Sequence, residues 1–260
     1  MSLDSSIVSL EDLYEGEPIP VIVNNQFLNP SGNAPPWFEV HMSRDNIPSV
    51  RKTIYRNSKL FVSEFLPTIS VSNVRSLIPK INNFKTDVLE RGISISLVSE
   101  IWEAGGKKKF KREIERMKEL DGLGYISTPR SNNKRGGGCA IIADIQKYSL
   151  EKISVHLPKS LEIVYGLLRP KCKSEGPQEI VAVAFYIPPK SKKANEVFEN
   201  IVNNIQILLT RYPKAALYIG GDRNRFSISP LLAAIPKLRQ IVTKTTCNGR
   251  ILDVFFNKCC

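Results

Sequence analysis

The stretch Ala215-Ala216-Leu217-Tyr218-Ile219-Gly220-Gly221-Asp222-Arg223-Asn224 joins an apolar run to a short polar segment. The apolar run predicts a buried strand, and the two glycines that follow mark its end. Loops at strand ends are where a scaffold displays reactive side chains, so Asp222 and Asn224 are candidate functional residues. A plain Gly-Gly-Asp turn explains the same residues when they are taken alone.

Short strands and amphipathic helices surround this stretch. Apolar runs predict strands at 68–72, 93–98, 138–143, 161–168, 180–186, 215–219 and 251–256. Helical spacing predicts helices from Leu77 to Val88, over 107–120 and over 194–211. The three strands between 138 and 186 follow one another without a helix, which suggests an antiparallel sheet there. Strands in excess, with enough helices to cover sheet faces, predict an α+β sandwich of mixed sheets.

The charge divides the chain into two parts. Residues 1–65 contain eight acidic and five basic side chains, a net charge of −3. Because the whole chain has a net charge of +12, the other 195 residues have a net charge of +15. The same early segment contains Pro18-Ile19-Pro20 and Pro35-Pro36 without helical periodicity between them. We therefore expect a poorly ordered leader over 1–65 and a domain over 66–260.

Several protein classes are excluded by composition. No apolar run approaches the roughly 20 residues of a membrane helix, and the start lacks the pattern of a signal peptide. Five cysteines without metal-ligand spacing argue against a disulfide framework or a structural zinc site. The net charge of +12 points to a polyanionic partner, although many basic proteins bind no nucleic acid.

Three further polar residues end or interrupt apolar runs. They are Asn73, Glu100 and Asp253. Each has a structural interpretation too: Asn73 could cap the following helix, and Glu100 could be a solvated loop acid.

Six ordered blocks over about residues 66–257 give the sequence a family resemblance. They are Ser72-Asn73-Val74-Arg75-Ser76-Leu77, Ser99-Glu100-Ile101-Trp102, Arg135-Gly136-Gly137-Gly138-Cys139-Ala140-Ile141, Phe185-Tyr186-Ile187-Pro188-Pro189, Ile219-Gly220-Gly221-Asp222-Arg223-Asn224 and Leu252-Asp253-Val254. With these blocks the chain resembles the endonuclease/exonuclease/phosphatase superfamily, and within it the apurinic-type endonuclease domain of LINE-type non-LTR retrotransposons. The resemblance implies the DNase I-like α/β-sandwich of two packed mixed β-sheets flanked by helices.

The resemblance also implies catalytic roles for six residues: Asn73, Glu100, Tyr186, Asp222, Asn224 and Asp253. Glu100, assisted by Asn73, would bind a divalent cation, Mg²⁺ or Mn²⁺, which suits their oxygen donors. Asp222 and Asn224 would position the attacking water and the scissile phosphate, Tyr186 would donate to a phosphate oxygen, and Asp253 would orient a histidine. Such a set neutralises and orients a phosphodiester for hydrolysis. The Gly136–Gly138 turn would allow close backbone approach, as a plain hairpin also would.

One departure from the family pattern concerns its end. The family continues after the Leu-Asp-Val strand with a further strand and a Ser-Asp-His block, whereas this sequence ends at Asn257-Lys258-Cys259-Cys260. We expect the domain to lack that last strand and loop. His156 is a poor substitute, because no Ser-Asp precedes it. Loss of a positioned acid/base group costs about 10²–10⁴-fold in rate.

Basic residues lie beside the blocks and are candidates for phosphate contacts. The candidate DNA-binding residues are Lys107, Lys108, Lys109, Arg135, Lys190, Lys192, Arg223 and Arg225. A solvated face explains each cluster equally well. Trp102 is expected to pack beneath the site.

Two hypotheses follow for function. The first is a metal-dependent DNA endonuclease that nicks its target, and the second is an inactive nucleic-acid-binding remnant of such a domain. A phosphatase acting on a small substrate fits the charge of +15 less well. We expect DNA as the partner, no membrane, no obligate protein partner and an intracellular, nuclear location.

Overall fold

The computed structural model describes residues 67–103, 107–130, 136–172, 176–242 and 253–258, together with the backbone of two short strands at 22–23 and 40–42. The strands are β1 (Ile22–Val23), β2 (Val40–Met42), β3 (Ile69–Asn73), β4 (Ile95–Ser99), β5 (Leu123–Thr128), β6 (Cys139–Asp144), β7 (Tyr148–Lys152), β8 (Glu162–Pro170), β9 (Ile180–Tyr186), β10 (Ala216–Asp222), β11 (Arg239–Gln240) and β12 (Asp253–Lys258). The helices are α1 (Ile81–Glu90), α2 (Lys107–Asp121), α3 (Ala194–Arg211) and α4 (Ser229–Ala234), and a 3₁₀ turn over Ile78–Lys80 precedes α1.

Two mixed sheets form the centre of the fold. The first has the order β1-β2-β3-β4-β6-β5, and the second has the order β11-β12-β10-β9-β8-β7. In the first sheet β1 to β4 are parallel, while β6 runs antiparallel to both β4 and β5. In the second sheet β9 and β10 are parallel and the remaining pairs are antiparallel.

Three apolar clusters hold the layers together. One lies between the sheets, one between the second sheet and α3 with α4, and one between the first sheet and α1 with α2. The strand β9 is apolar throughout because both of its faces are buried. Ile180, Ala182 and Ala184 face the other sheet, while Val181 and Phe185 face α3. A strand buried on both faces has no need of polar alternation.

Gly220 sits where the two sheets approach closely. A Cβ atom there would lie 2.7 Å from Leu97 Cδ1 and 2.8 Å from Val71 Cγ2, both in the facing sheet. Since a core at crystal-like packing density cannot absorb such contacts, only glycine fits. The close approach brings the end of β10 up to the ends of β3 and β4.

The fold class predicted from the sequence is confirmed: the domain is a DNase I-like sandwich of two packed mixed sheets flanked by helices. The predicted helix over 194–211 coincides with α3, and the helix over 107–120 with α2. The strand β5 was not predicted, because a single residue separates it from the end of the helix α2.

One expectation about the middle of the chain is wrong. The strands between 138 and 186 do not form a single antiparallel sheet, since β6 belongs to the first sheet and β8 and β9 to the second. The chain passes from one sheet to the other in the turn between Asp144 and Tyr148. The strand β6 is apolar on both faces, toward the second sheet and toward α1 and α2, so its pattern does not identify its neighbours.

Apart from β1 and β2, the first 66 residues lie outside the described part of the chain, and so does the prediction of a poorly ordered leader. Within the described ranges no helix combines the length and the apolar character that crossing a membrane requires.

Candidate active site

The six predicted catalytic residues come together at one edge of the sandwich. Asn73 and Tyr186 are the last residues of β3 and β9, and Glu100 directly follows β4. Asp222 ends β10, where its register partners are Tyr186 on one side and Asp253 on the other. Side chains from both sheets therefore meet at the carboxyl ends of their parallel strands.

Asn73 joins the two sheets through its side-chain amide. Its Nδ2 donates to Glu100 Oε1 at 2.8 Å and to Asp222 Oδ2 at 2.7 Å. Its Oδ1 accepts a hydrogen bond from the backbone N–H of Arg75 at 3.1 Å, which fixes the orientation of the amide. Asn73 thus supports Glu100 as a hydrogen-bond donor, and its predicted part in binding the cation stays a prediction.

Glu100 is held in an uncommon backbone conformation. Its φ is +56°, a value that non-glycine residues rarely adopt and that costs on the order of 1–3 kcal/mol. The backbone after it is fixed by Ser76 N–H, which donates to Glu100 O at 2.8 Å, and by Trp102 N–H, which donates to Gly137 O at 3.0 Å. The carboxylate is thereby turned toward Asn73.

Trp102 lies beside the site and contacts it directly. Its indole Nε1 donates to Glu100 Oε2 at 3.2 Å, so both oxygens of Glu100 accept hydrogen bonds. Trp102 is partly exposed, and its prediction as a residue that packs beneath the site misses this polar contact.

Asp222 and Asp253 are buried side by side on adjacent strands. They are 0% and 2% exposed, and they are paired in register between β10 and β12. Asp222 Oδ1 also accepts the backbone N–H of Asn224 at 2.7 Å, while Asn224 Nδ2 donates to the carbonyl of Ile187 at 2.6 Å. Asn224 adopts a φ of +53°, which asparagine tolerates better than most residues.

The phenol of Tyr186 is protonated over a wide pH range. Burial raises its pKa well above the ordinary value, and the negative charges of Glu100 and Asp222 raise it further, whereas Arg130 acts in the opposite direction. A protonated phenol beside two carboxylates is a donor that a phosphate oxygen can accept from.

Two residues of this edge were not identified from the sequence. Arg130 Nε donates to Glu162 Oε1 at 2.8 Å, and the Arg130 guanidinium carbon lies 5.9 Å from the centroid of the Tyr186 ring. Glu162 is the single charged residue of the apolar run 161–168, and a charge in a predicted buried strand indicates a buried partner. That signal was available in the sequence, but the identity of the partner was not.

The predicted DNA-binding residues differ in how far their side chains are exposed. Lys108, Lys109, Lys190, Lys192 and Arg225 are exposed. Arg223 instead is half-buried, donates through Nη1 to the carbonyl of Phe226, and has its pKa lowered by burial. Arg135 and the side chain of Lys107 lie outside the described part of the chain.

His156 lies away from the site. Its carbonyl accepts hydrogen bonds from Asn200 and Asn204 of α3, at 3.1 Å and 3.2 Å, on the outer face of the second sheet. In the described ranges no group of three or more His, Cys, Asp or Glu residues is arranged to hold a metal ion. Mg²⁺ is usually bound by only one or two carboxylates.

No protein-family model matches the sequence, and no curated protein does. Solved structures do match. An endonuclease/exonuclease/phosphatase from Bacteroides vulgatus shares 11% identity, with a TM-score of 0.53, over 72% of this chain and 85% of that one. The endonuclease domain of TRAS1, a telomere-specific non-LTR retrotransposon, shares 17% identity, with a TM-score of 0.50, over 72% and 82%. A 3′ phosphatase of Neisseria, solved with product DNA hairpin, shares 12% identity, with a TM-score of 0.50, over 73% and 86%. The fold is therefore that of the endonuclease/exonuclease/phosphatase superfamily.

Proposed function

We propose that this chain is a metal-dependent phosphodiester hydrolase, a DNA endonuclease domain of retrotransposon type that nicks its target. The observation that supports this most is the bridge from Asn73 to Glu100 and Asp222, because it assembles two acids from different sheets at one point. Tyr186 is a neutral donor at the same point, and burial together with the charges of Glu100 and Asp222 raises the pKa of its hydroxyl.

The residues at this point fit a hard divalent cation, Mg²⁺ or Mn²⁺. Among the described residues, no lysine or arginine forms an ion pair with Glu100, whose observed partners are neutral donors. The raised pKa of Tyr186, caused by burial and then by Glu100 and Asp222, reflects the negative charge there. Glu100 would hold the cation through a carboxylate oxygen. When bound, the cation supplies charge neutralisation for a phosphate.

The chain's own residues would orient the reaction. Asp222 is buried and accepts from Asn73 and from the Asn224 backbone, so its carboxylate is fixed where it can orient an attacking water. Tyr186 would donate a hydrogen bond from its hydroxyl to a phosphate oxygen. Asn224 retains a second amide N–H for the phosphate, since the hydrogen bond to Ile187 uses only one. Asp253 would add a second negative charge beside Asp222.

The choice of DNA as substrate rests on charge. The chain has a net charge of +12, and the exposed Lys190, Lys192 and Arg225 follow the strands that end at Tyr186 and Asp222. Lysine and arginine beside a phosphodiester site neutralise neighbouring phosphates and release counterions. Action on chromosomal DNA would place the protein in the nucleus.

The decisive experiment is a nicking assay on supercoiled plasmid. We expect the 260-residue chain with Mg²⁺ to convert plasmid to open circles, EDTA to stop the reaction, and Glu100→Gln to slow it at least about 100-fold. Glu151→Gln is the matched control, because Glu151 is an exposed glutamate on β7. Conversion that survives both EDTA and Glu100→Gln would overturn the proposal.

A second candidate is nucleic-acid binding without turnover. It is favoured by the position of His156, since the described residues bring no histidine to the site. In that case the chain binds labelled DNA with a steep salt dependence, while no plasmid is nicked at any Mg²⁺ or Mn²⁺ concentration.

A further inference from the structure

Arg130 lies over the face of the Tyr186 ring. Its guanidinium carbon is 5.9 Å from the ring centroid, within the distance at which a cation is attracted by an aromatic face. The hydroxyl of the same tyrosine lies within the influence of Glu100, whose negative charge adds to burial in raising its pKa. Tyr186 therefore lies between a cation over its ring and the negative charge of Glu100 on the side of its hydroxyl.

Glu162 holds the Arg130 guanidinium in place through an ion pair. Its Oε1 accepts from Arg130 Nε at 2.8 Å, and its Oε2 accepts from the backbone N–H of Gly138. Glu162 is 6% exposed and is the register partner of Tyr186 across β8 and β9. Because a buried carboxylate is costly unless both oxygens are partnered, the pair has little freedom to rearrange.

The glycine turn closes the remaining space around the pair. A Cβ atom on Gly137 would lie 2.3 Å from Glu162 Oε2 and 2.5 Å from Arg130 Nε. Gly137 also has a φ of +67°, which favours glycine. The turn packs directly on the ion pair, so the guanidinium cannot withdraw from Tyr186 on that side.

We propose that Arg130, fixed by Glu162, is a positioning residue for Tyr186 that aims its hydroxyl at the reacting phosphate. This rests on the proposed function, because it gives a role to Tyr186 in that reaction. Arg130 also lowers the pKa of Tyr186 against the larger effects of burial and of Glu100, which is consistent with a direct electrostatic contact.

The test is a double-mutant cycle on DNA cleavage. We expect Arg130→Gln to lower kcat about tenfold with KM changed less than about threefold. The substitution removes the interaction that orients Tyr186, not a contact that binds DNA. In a Tyr186→Phe background the same substitution should change kcat less than about twofold, since residues acting as one unit are not additive. Equal fold losses in both backgrounds, or a rise in KM with kcat unchanged, would overturn the proposal.

A second readout does not depend on activity. The chain has eight tyrosines, and ring ¹³C labelling resolves Tyr186 as the resonance that Tyr186→Phe removes. We expect Arg130→Gln and Glu162→Gln to shift or broaden that resonance. Arg169→Gln should leave it unchanged, because Arg169 forms a comparable pair with Glu179 at 3.1 Å, next to the far end of β9. If the wild type does not cleave DNA, the proposed function fails, and an unmoved Tyr186 resonance in Arg130→Gln separately refutes the positioning role.

Discussion

The amide nitrogen of Asn73 donates to the carboxylate of Asp222 at 2.7 Å, across the gap between the two sheets. The two residues are 149 positions apart and both are buried. The same nitrogen donates to Glu100 at 2.8 Å, so one neutral side chain separates two acids. This arrangement is both a structural link and the centre of the candidate site.

Replacement of the bridging donor by an acid should be costly. We expect Asn73→Asp to lower the free energy of unfolding by about 1–3 kcal/mol at pH 7, because a third carboxylate leaves Glu100 and Asp222 without their shared donor. Urea unfolding measures this. Asn82→Asp, at an exposed position of α1, is the matched control. Equal stability of the two variants would show that the bridge contributes nothing.

Alkaline pH should destabilise the fold partly through Tyr186. Its pKa is raised in the folded chain by burial and by Glu100, so above the unfolded value near 10 the folded chain retains a proton that the unfolded chain releases. Stability is thus fully present below about pH 10 and is lost as pH rises, by up to about 1.4 kcal/mol per pH unit. We expect urea midpoints between pH 9.5 and 11.5 to fall less for Tyr186→Phe. A parallel decline in both proteins would contradict the raised pKa.

Much of the fold could be predicted from the sequence, but the pairing of strands could not. The strand that ends at Asp222 and the helix α3 follow from local patterns, because each depends on which faces are apolar. The sheet to which β6 belongs is set by its pairing with β4 and with β5, a strand that was not predicted, and its doubly buried pattern fits either sheet. The edge strand β5 is only half-buried over its last four residues, and its apolar signal is correspondingly weak.

In the candidate site, too, some features can be predicted from the sequence and others depend on the three-dimensional structure. Family blocks identify Asn73, Glu100 and Asp222, whereas the orientation of the Asn73 amide depends on the backbone N–H of Arg75. The pairing of Arg130 with Glu162 joins residues 32 positions apart and depends on sheet register. Sequence alone gives no such register.

Divalent cations should stabilise the folded chain. If Mg²⁺ binds at Glu100, a concentration about 100 times its Kd adds about 2.7 kcal/mol, which raises Tm by about 5–10 °C for a domain of this size. Differential scanning calorimetry with and without Mg²⁺ measures the rise. It should vanish in Glu100→Gln and persist in Glu151→Gln. An equal rise in Glu100→Gln would place the cation elsewhere.

Exposed lysines near the site should determine how DNA binding depends on salt. We expect Lys190→Gln with Lys192→Gln to reduce the slope of log K against log salt by about 2, one for each lost phosphate contact. Fluorescence anisotropy with a labelled duplex measures the slope. Lys118→Gln with Lys214→Gln is the control, because both lysines are exposed. Lys118 lies near the C-terminal end of α2, and Lys214 lies just before β10, at the end of that strand away from Asp222. Equal slopes in the two double variants would remove Lys190 and Lys192 from the interface.

We propose that acids from the two sheets form one hydrolytic site. Single-turnover cleavage of a labelled duplex by Glu100→Gln, Asp222→Asn and the double variant tests it most directly. Because residues that act as a unit are not additive, we predict that each single variant is at least about 100-fold slower than wild type and that the double variant is no slower than the slower single. Single variants that cleave at the wild-type rate, or a double variant whose loss is the product of the two single losses, would contradict it.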